Sequence, residues 1–261
     1  MAHTLDRLGF AALKGTRHVA RETVRLDADG PVGDREWCLV EQETRRVLRT
    51  AARPLMHVTV TADGDHLHVA TGDGHAVEGR VTVAGEPMLV DYWRRPATIT
   101  PYAGAPASFL AELVDRPVLL GRARRGDVVY GAPVSLVGAA SLADLAERLG
   151  RPELAGESER FRSTFLVRTD EPWIEDTWLG LEVVLGEATI RINEPIGRCA
   201  VPNHNPLSGL SDASTLKALA GFRPRNHRGE PLLGVDAHVV TPGTVRVGDP
   251  VQLVLTADGA R

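Results

Sequence analysis

The stretch Met56 to Ala70, MHVTVTADGDHLHVA, decides the fold class. Val58 and Val60 alternate with threonines, and Leu67 and Val69 alternate with histidines, on either side of an Ala62-Asp63-Gly64 turn. A period of two is the signature of a strand with one buried face, and Asp-Gly is a preferred turn pair. The same pattern predicts strands over His18–Leu26, Glu36–Gln42, Val47–Thr50, Val81–Val83 and Met88–Tyr92, with turns at 27–30 and 72–74. Strands about every 8–12 residues with no helix between them indicate a barrel or sandwich.

Downstream the period changes. Ala105–Val114 reads as a helix and Val134–Val137 as a buried strand. A second helix starts at Ser141, with Asp144 three residues on as in a capping box, and ends at Gly150. Strands resume at Phe165–Arg168, Leu181–Leu185 and Ala188–Asn193, then again at Asp236–Thr241 and Val251–Leu255, with a short helix over Ser214–Ala220. The expected class is mainly β with some α (α+β), with helices between two β-rich halves at 1–100 and 101–261.

The 261 residues suffice for a substantial core, and a net charge of −4 gives no reason to expect nucleic acid or an anionic membrane as partner. No window approaches the roughly 20 apolar residues of a membrane span. The N-terminal MAHTLDRLGFAALKG lacks the pattern of a signal peptide. Two cysteines make no disulfide framework, so a cytoplasmic, reducing location is expected.

Chemistry concentrates in Glu194–Gly209, EPIGRCAVPNHNPLSG. Pro195, Pro202 and Pro206 exclude a helix interior and predict a rigid loop. The loop presents Cys199 beside Arg198, a soft ligand or nucleophile next to a cation. Cys38, inside the alternating EWCLV, reads as core. His204 follows Cys199 by five residues, which is too sparse for a closed zinc site even with His227, but allows a Cys–His nucleophile pair. Arg35, Arg162 and Arg198 each read alone as a surface ion pair; converging on one cleft, they would suit an anionic cofactor. His66 and His68 share a solvent-facing strand face. Glu175-Asp176 reads equally as an acid/base pair or as turn caps.

These segments together resemble the MOSC-domain family, named for the C-terminal domain of molybdenum cofactor sulfurases, with the β-barrel domain that commonly precedes it. GDREWCLV, SLADL, RFR, EDTW, the Arg-Cys loop and PGTVRVGDPV occur in the family's order. Within that family the chain resembles the bacterial and mitochondrial amidoxime-reducing enzymes. The resemblance implies a small β-rich first domain and a MOSC barrel. It implies Cys199 as ligand to the molybdenum of a molybdenum-pterin cofactor, with Arg35, Arg162 and Arg198 holding the pterin and phosphate. It further implies reduction of an N-hydroxylated small-molecule substrate, with electrons from a separate protein. The chain departs from the pattern at Ala11-Ala12, where the family has Lys-Ser, at Ala52 (next to Arg53), where it has arginine, and at Thr164, where it has asparagine. Asp236 stands where an aromatic is expected, and the loop Tyr130-Gly131-Ala132 is short. Two other readings follow from these departures. One is a cofactor-free enzyme using Cys199 and His204 on another small molecule; the other is a non-catalytic carrier of the cofactor.

Overall fold

The computed structural model describes residues 3–49 and 55–254. Seven strands close into a barrel. Around it run Phe165–Arg168, Val134–Gly138, Leu232–Thr241, Ala188–Gly197, Glu182–Leu185, Pro250–Val254 and His3–Phe10, which returns to pair with Phe165–Arg168. Val134–Gly138 and Phe165–Arg168 are parallel, joined through helix α2 (Ala139–Arg148), and the other barrel pairs are antiparallel. Leu5, Leu8, Leu136, Phe165, Val183 and Val235 point into a core with no exposed surface above 1%. Such apolar burial is the main favourable term in folding.

The other half carries a sheet ordered Met88–Tyr92, Arg95–Ala103, Val118–Ala123 and Trp37–Glu41. A second sheet, Thr59–Asp63, His66–Ala70 and Ala76–Arg80, packs against α1 (Ala105–Val114). The chain crosses residue 100 in both directions. His3–Phe10 joins the barrel, while Val118–Ala123 pairs with Trp37–Glu41.

The strands expected at His66–Ala70, Met88–Tyr92 and Phe165–Arg168 and the helix at Ala105–Val114 have those bounds in the structure. The Met56–Thr61 run shifts to Thr59–Asp63, because Val58 N bonds back to Leu55 O in a turn. Val47–Thr50 contributes only a bridge from Val47 to Val40, and Thr50 lies outside the described residues, as does Ala52. His3–Phe10 escapes the periodicity reading because a bulge between Leu5 and Arg7 breaks its alternation.

The capping role expected of Ser141 does not occur. Helix α2 begins two residues earlier, at Ala139, and Ser141 is fully buried. Its hydroxyl donates to Glu175 Oε2 (2.8 Å) and accepts from Trp173 N (2.7 Å). Glu175 Oε1 accepts from Gly138 N and Thr169 Oγ1 from Ala140 N, so residues distant in sequence satisfy the helix's free amides. Helix α3 (Thr215–Phe222) is capped by Asn203, whose Oδ1 accepts from Leu216 N at 3.0 Å; Ser214 makes no side-chain cap bond.

Two glycines test the packing. A Cβ at Gly9 would stand 2.1 Å from His18 Cε1 and 2.4 Å from Ser163 O, whereas one at Gly221 would meet nothing within 4 Å. Gly9→Ala is expected to cost about 1–3 kcal/mol of stability, as other overpacked sites do. Gly221→Ala, in α3, is expected to add up to about 1 kcal/mol. Denaturant midpoints of the two variants check this pair.

Candidate functional site

The site is built from the first barrel strand outwards. After Phe10 the chain lies along Asp34–Trp37: Arg35 N donates to Ala11 O (2.7 Å), Trp37 N to Ala12 O (3.0 Å) and Lys14 N to Trp37 O (2.7 Å). Asp34 Oδ1 accepts from Ala11 N (2.8 Å), and Asp34 Oδ2 pairs with the Arg35 guanidinium. This ladder buries Ala11 and Ala12 and delivers Lys14 inward, with its ammonium 5.1 Å from the centre of the buried Tyr92 ring. Arg35 Nη2 reaches Arg162 O (3.1 Å), and Arg162 Nη1 reaches Thr16 O (2.7 Å). Arg35 (φ 52) and Arg162 (φ 54) both take the left-handed backbone conformation uncommon outside glycine.

Arg198 clamps a second edge. Its Nε donates to Leu233 O (2.8 Å) and its Nη1 to Phe161 O (2.9 Å), next to Arg162. Cys199 follows in the exposed loop, within electrostatic reach of Lys14 and Arg198. The loop is stapled from behind by the buried Arg160, which holds Asp212 with both terminal nitrogens (2.7 and 2.9 Å) and Glu157 with Nε (2.6 Å). Thr164 is spent on the barrel, with Oγ1 accepting from Ser135 N. Asp236 latches Ala132 N with one oxygen and Glu194 N with the other, fixing the short Tyr130–Ala132 loop to the start of the cysteine loop.

The structure thus gathers Arg35, Arg162 and Cys199 with Lys14, and holds Arg198 at their border. His204 is not paired with Cys199. Its Nδ1 lies 3.2 Å from Ala200 O and 3.3 Å from Val201 O, no hydrogen bond joins it to Cys199, and it lines a small cleft with Arg17, His18, Glu159 and Arg162. Cys38 is core, with its thiol pushed up to about 12 by burial. Glu175 and Asp176 cap and brace, the first at α2 and the second in an ion pair with Arg223.

Electrostatically the site is an excess of buried positive charge. Burial, reinforced by Arg35, pushes the Arg162 guanidinium down to about 9, and burial takes Arg198 down to about 10. Lys14 falls well below its ordinary value through burial, then through Arg35 and Arg162. Asp34 is the carboxylate among its near neighbours. Six buried side-chain polar atoms among the described residues lack a hydrogen-bond partner, and four surround this place: His18 Nε2, Tyr92 Oη, Arg162 Nη2 and Arg198 Nη2. Native interiors leave few such atoms unpaired, so four together set this place apart from the rest of the interior. Lys14, His18 and Tyr92 went unnoticed in the sequence. Lys14 could have been found by its place directly after the apolar FAAL run, where a lysine is either surface or functional.

The MOSC domain model matches residues 115–252. The chain belongs to the MOSC domain family. Its MOSC region contributes Arg162, Arg198 and Cys199, while Lys14 and Arg35 come from outside the matched residues. The chain is 23% identical to mitochondrial amidoxime-reducing component 1 of Homo sapiens over 261 residues, covering 86% of this chain and 74% of that one. It is 31% identical to mitochondrial amidoxime reducing component 2 of Rattus norvegicus over 127 residues, covering 46% of this chain and 36% of that one. Among solved structures, the YUAD protein from Bacillus subtilis aligns over 97% of this chain and 96% of its own at 14% identity, with a TM-score of 0.46. No helix among the described residues is long and apolar enough to cross a membrane.

His18 makes the charge excess measurable. Its folded pKa lies well below the ordinary 6.5, through burial and then Arg162, Arg35 and Arg7. Below pH 6.5 the unfolded chain takes up a proton that the folded chain refuses, so stability is full above that pH and is lost as pH falls. The wild type is expected to lose up to about 1.4 kcal/mol per pH unit more than His18→Gln on acidification. Denaturant midpoints between about pH 5 and 7.5 read the difference, and parallel profiles would contradict it.

Proposed function

We propose that this MOSC-family chain binds a molybdenum-pterin cofactor and acts as an oxidoreductase on a small molecule with an N–O bond. The observation that carries the reading is the set of unpaired buried donors around Lys14, Arg35 and Arg162, beside an exposed thiol at Cys199. The donor chemistry fits the group. Guanidinium and ammonium donors suit phosphate and the polar edge of a pterin, and a thiolate is the soft ligand that a transition metal takes. Arg35 and Arg162 would hold the anionic part, Lys14 would supply the charge missing at Ala11-Ala12, Arg198 would fix the loop, and Cys199 would ligate the metal.

When bound, the cofactor supplies a two-electron centre for removing oxygen from the substrate. The chain's own part is binding, orientation and electrostatics. Its rigid loop presents Cys199 at the surface, and Lys14 and Arg198 lie within electrostatic reach of the sulfur. The net reaction would break an N–O bond with two electrons and two protons and release water, the electrons arriving from a separate electron-transfer protein. A cytoplasmic location, where Cys38 and Cys199 stay reduced, belongs to the same reading.

Protein purified from a molybdenum-replete host is expected to carry near-stoichiometric metal and to release a fluorescent pterin on denaturation. Cys199→Ala is expected to lose the metal, and Lys14→Met to retain at least about tenfold less cofactor, the scale of losing a buried charge-assisted contact. Full activity in metal-free protein would overturn the reading.

A further inference from the structure

The hairpin between Met88–Tyr92 and Arg95–Ala103 pairs Tyr92 with Arg95, leaving a two-residue turn of Trp93 and Arg94. Both have positive φ, 55 and 64. That is the geometry of the mirror-image type I′ turn, which calls for Asn-Gly because other side chains strain it. Here the turn carries an indole and a guanidinium, and Trp93 is 44% exposed. A strained turn kept with two large functional side chains is a cost that packing does not explain.

Trp93 does not stand alone. Its ring lies 6.0 Å from that of Tyr130, which is 42% exposed, in an edge-to-face arrangement. The Arg49 guanidinium covers the Trp93 ring at 4.2 Å, and Arg228 Nη1 donates to Tyr130 Oη at 3.1 Å. Arg95 donates to Val129 O at 2.8 Å, beside Tyr130. Among the described residues, the guanidiniums of Arg49, Arg94, Arg95 and Arg228 have no carboxylate partner, whereas Arg125, Arg160, Arg191 and Arg223 each have one. The group adjoins the elements of the Cys199 site at two places. Tyr92, next to Trp93, lies under the Lys14 ammonium, and the 226–230 turn that carries Arg228 packs against Gly197, where a Cβ would stand 2.3 Å from Asn226 Nδ2.

We propose that Trp93, Tyr130, Arg49 and Arg228 form a recognition subsite for a planar aromatic anion, such as an aromatic carboxylate, beside the Cys199 site. Aromatic faces offer stacking area at little entropic cost, and unpaired guanidiniums take the negative charge. The proposal rests on the reading of the Cys199 site as the reacting centre and names the class of substrate that would approach it.

Calorimetric titration of the full chain with 2-naphthoate, its neutral amide and the matching naphthylmethylammonium cation tests it. The anion is expected to bind at least about tenfold tighter than the amide, and the cation not at all. The double variant Trp93→Asn/Arg94→Gly restores the preferred turn, so it is expected to raise the thermal midpoint while weakening naphthoate binding by about tenfold or more. Equal binding of anion and amide, unchanged binding by the double variant, or binding of polyglutamate but not of naphthoate would overturn the proposal. Metal-free Cys199→Ser protein is expected to bind naphthoate as the wild type does, so failure of the cofactor reading and failure of this subsite are read separately.

Discussion

The Arg198 guanidinium, bridging Phe161 O and Leu233 O, is the contact through which the candidate site is assembled. One side chain joins three pieces of chain: the cysteine loop, the turn that carries Arg162 and the strand Leu232–Thr241. Each of those carbonyls would otherwise be a buried acceptor in need of a partner, so the bridge is specified by satisfaction as much as by charge. Its geometry also explains why Arg198 stands at the border of the cationic group. Two of its three nitrogens are committed to the protein, leaving Nη2 as the one still unpaired.

Around that bridge the protein has collected cations without enough anions. Glu159 is turned to Arg7, and Asp34, held by Arg35 and Ala11 N, offsets Lys14 and Arg162 only in part. Burying charge without a partner is among the more expensive arrangements available to a fold. The lowered pKa values of Lys14, Arg162, Arg198 and His18 express that cost. Perturbed groups of this kind cluster where a protein binds or reacts. A stability-driven arrangement would resemble Arg160, which is equally buried but fully paired with Glu157 and Asp212.

Much of the fold was legible because its strands keep a strict period of two. His66–Ala70 and Met88–Tyr92 alternate cleanly, and the structure keeps their bounds. His3–Phe10 was not legible, since its bulge and the unbroken burial of Arg7–Phe10 erase the alternation. Ser141 misled for a different reason. Sequence shows a residue able to cap, but the competing partners Glu175 and Trp173 arrive from more than thirty residues away. The site divided in the same manner. Cys199 sits in a loop whose chemistry reads locally, whereas Arg35 and Arg162 each read alone as a surface ion pair and join it only through the family resemblance. Lys14 and Tyr92 become relevant only when the ladder from Ala11 to Trp37 and the hairpin at Trp93 fold over one another.

Backbone strain follows the same geography. Among the described residues seven non-glycine positions have positive φ, and Arg35, Arg162, Trp93 and Arg94 are four of them. Arg35 and Arg162 touch each other through a hydrogen bond, and Trp93 and Arg94 adjoin Tyr92, over which Lys14 lies. A fold consistent at every level would place glycine or asparagine at such positions. The cationic side chains of Arg35 and Arg162 mean that the left-handed backbone there is the cost of aiming both at one place. The aim is what the barrel, the arginine bridge and the stapled loop hold in register, and local propensity yields to it at both positions.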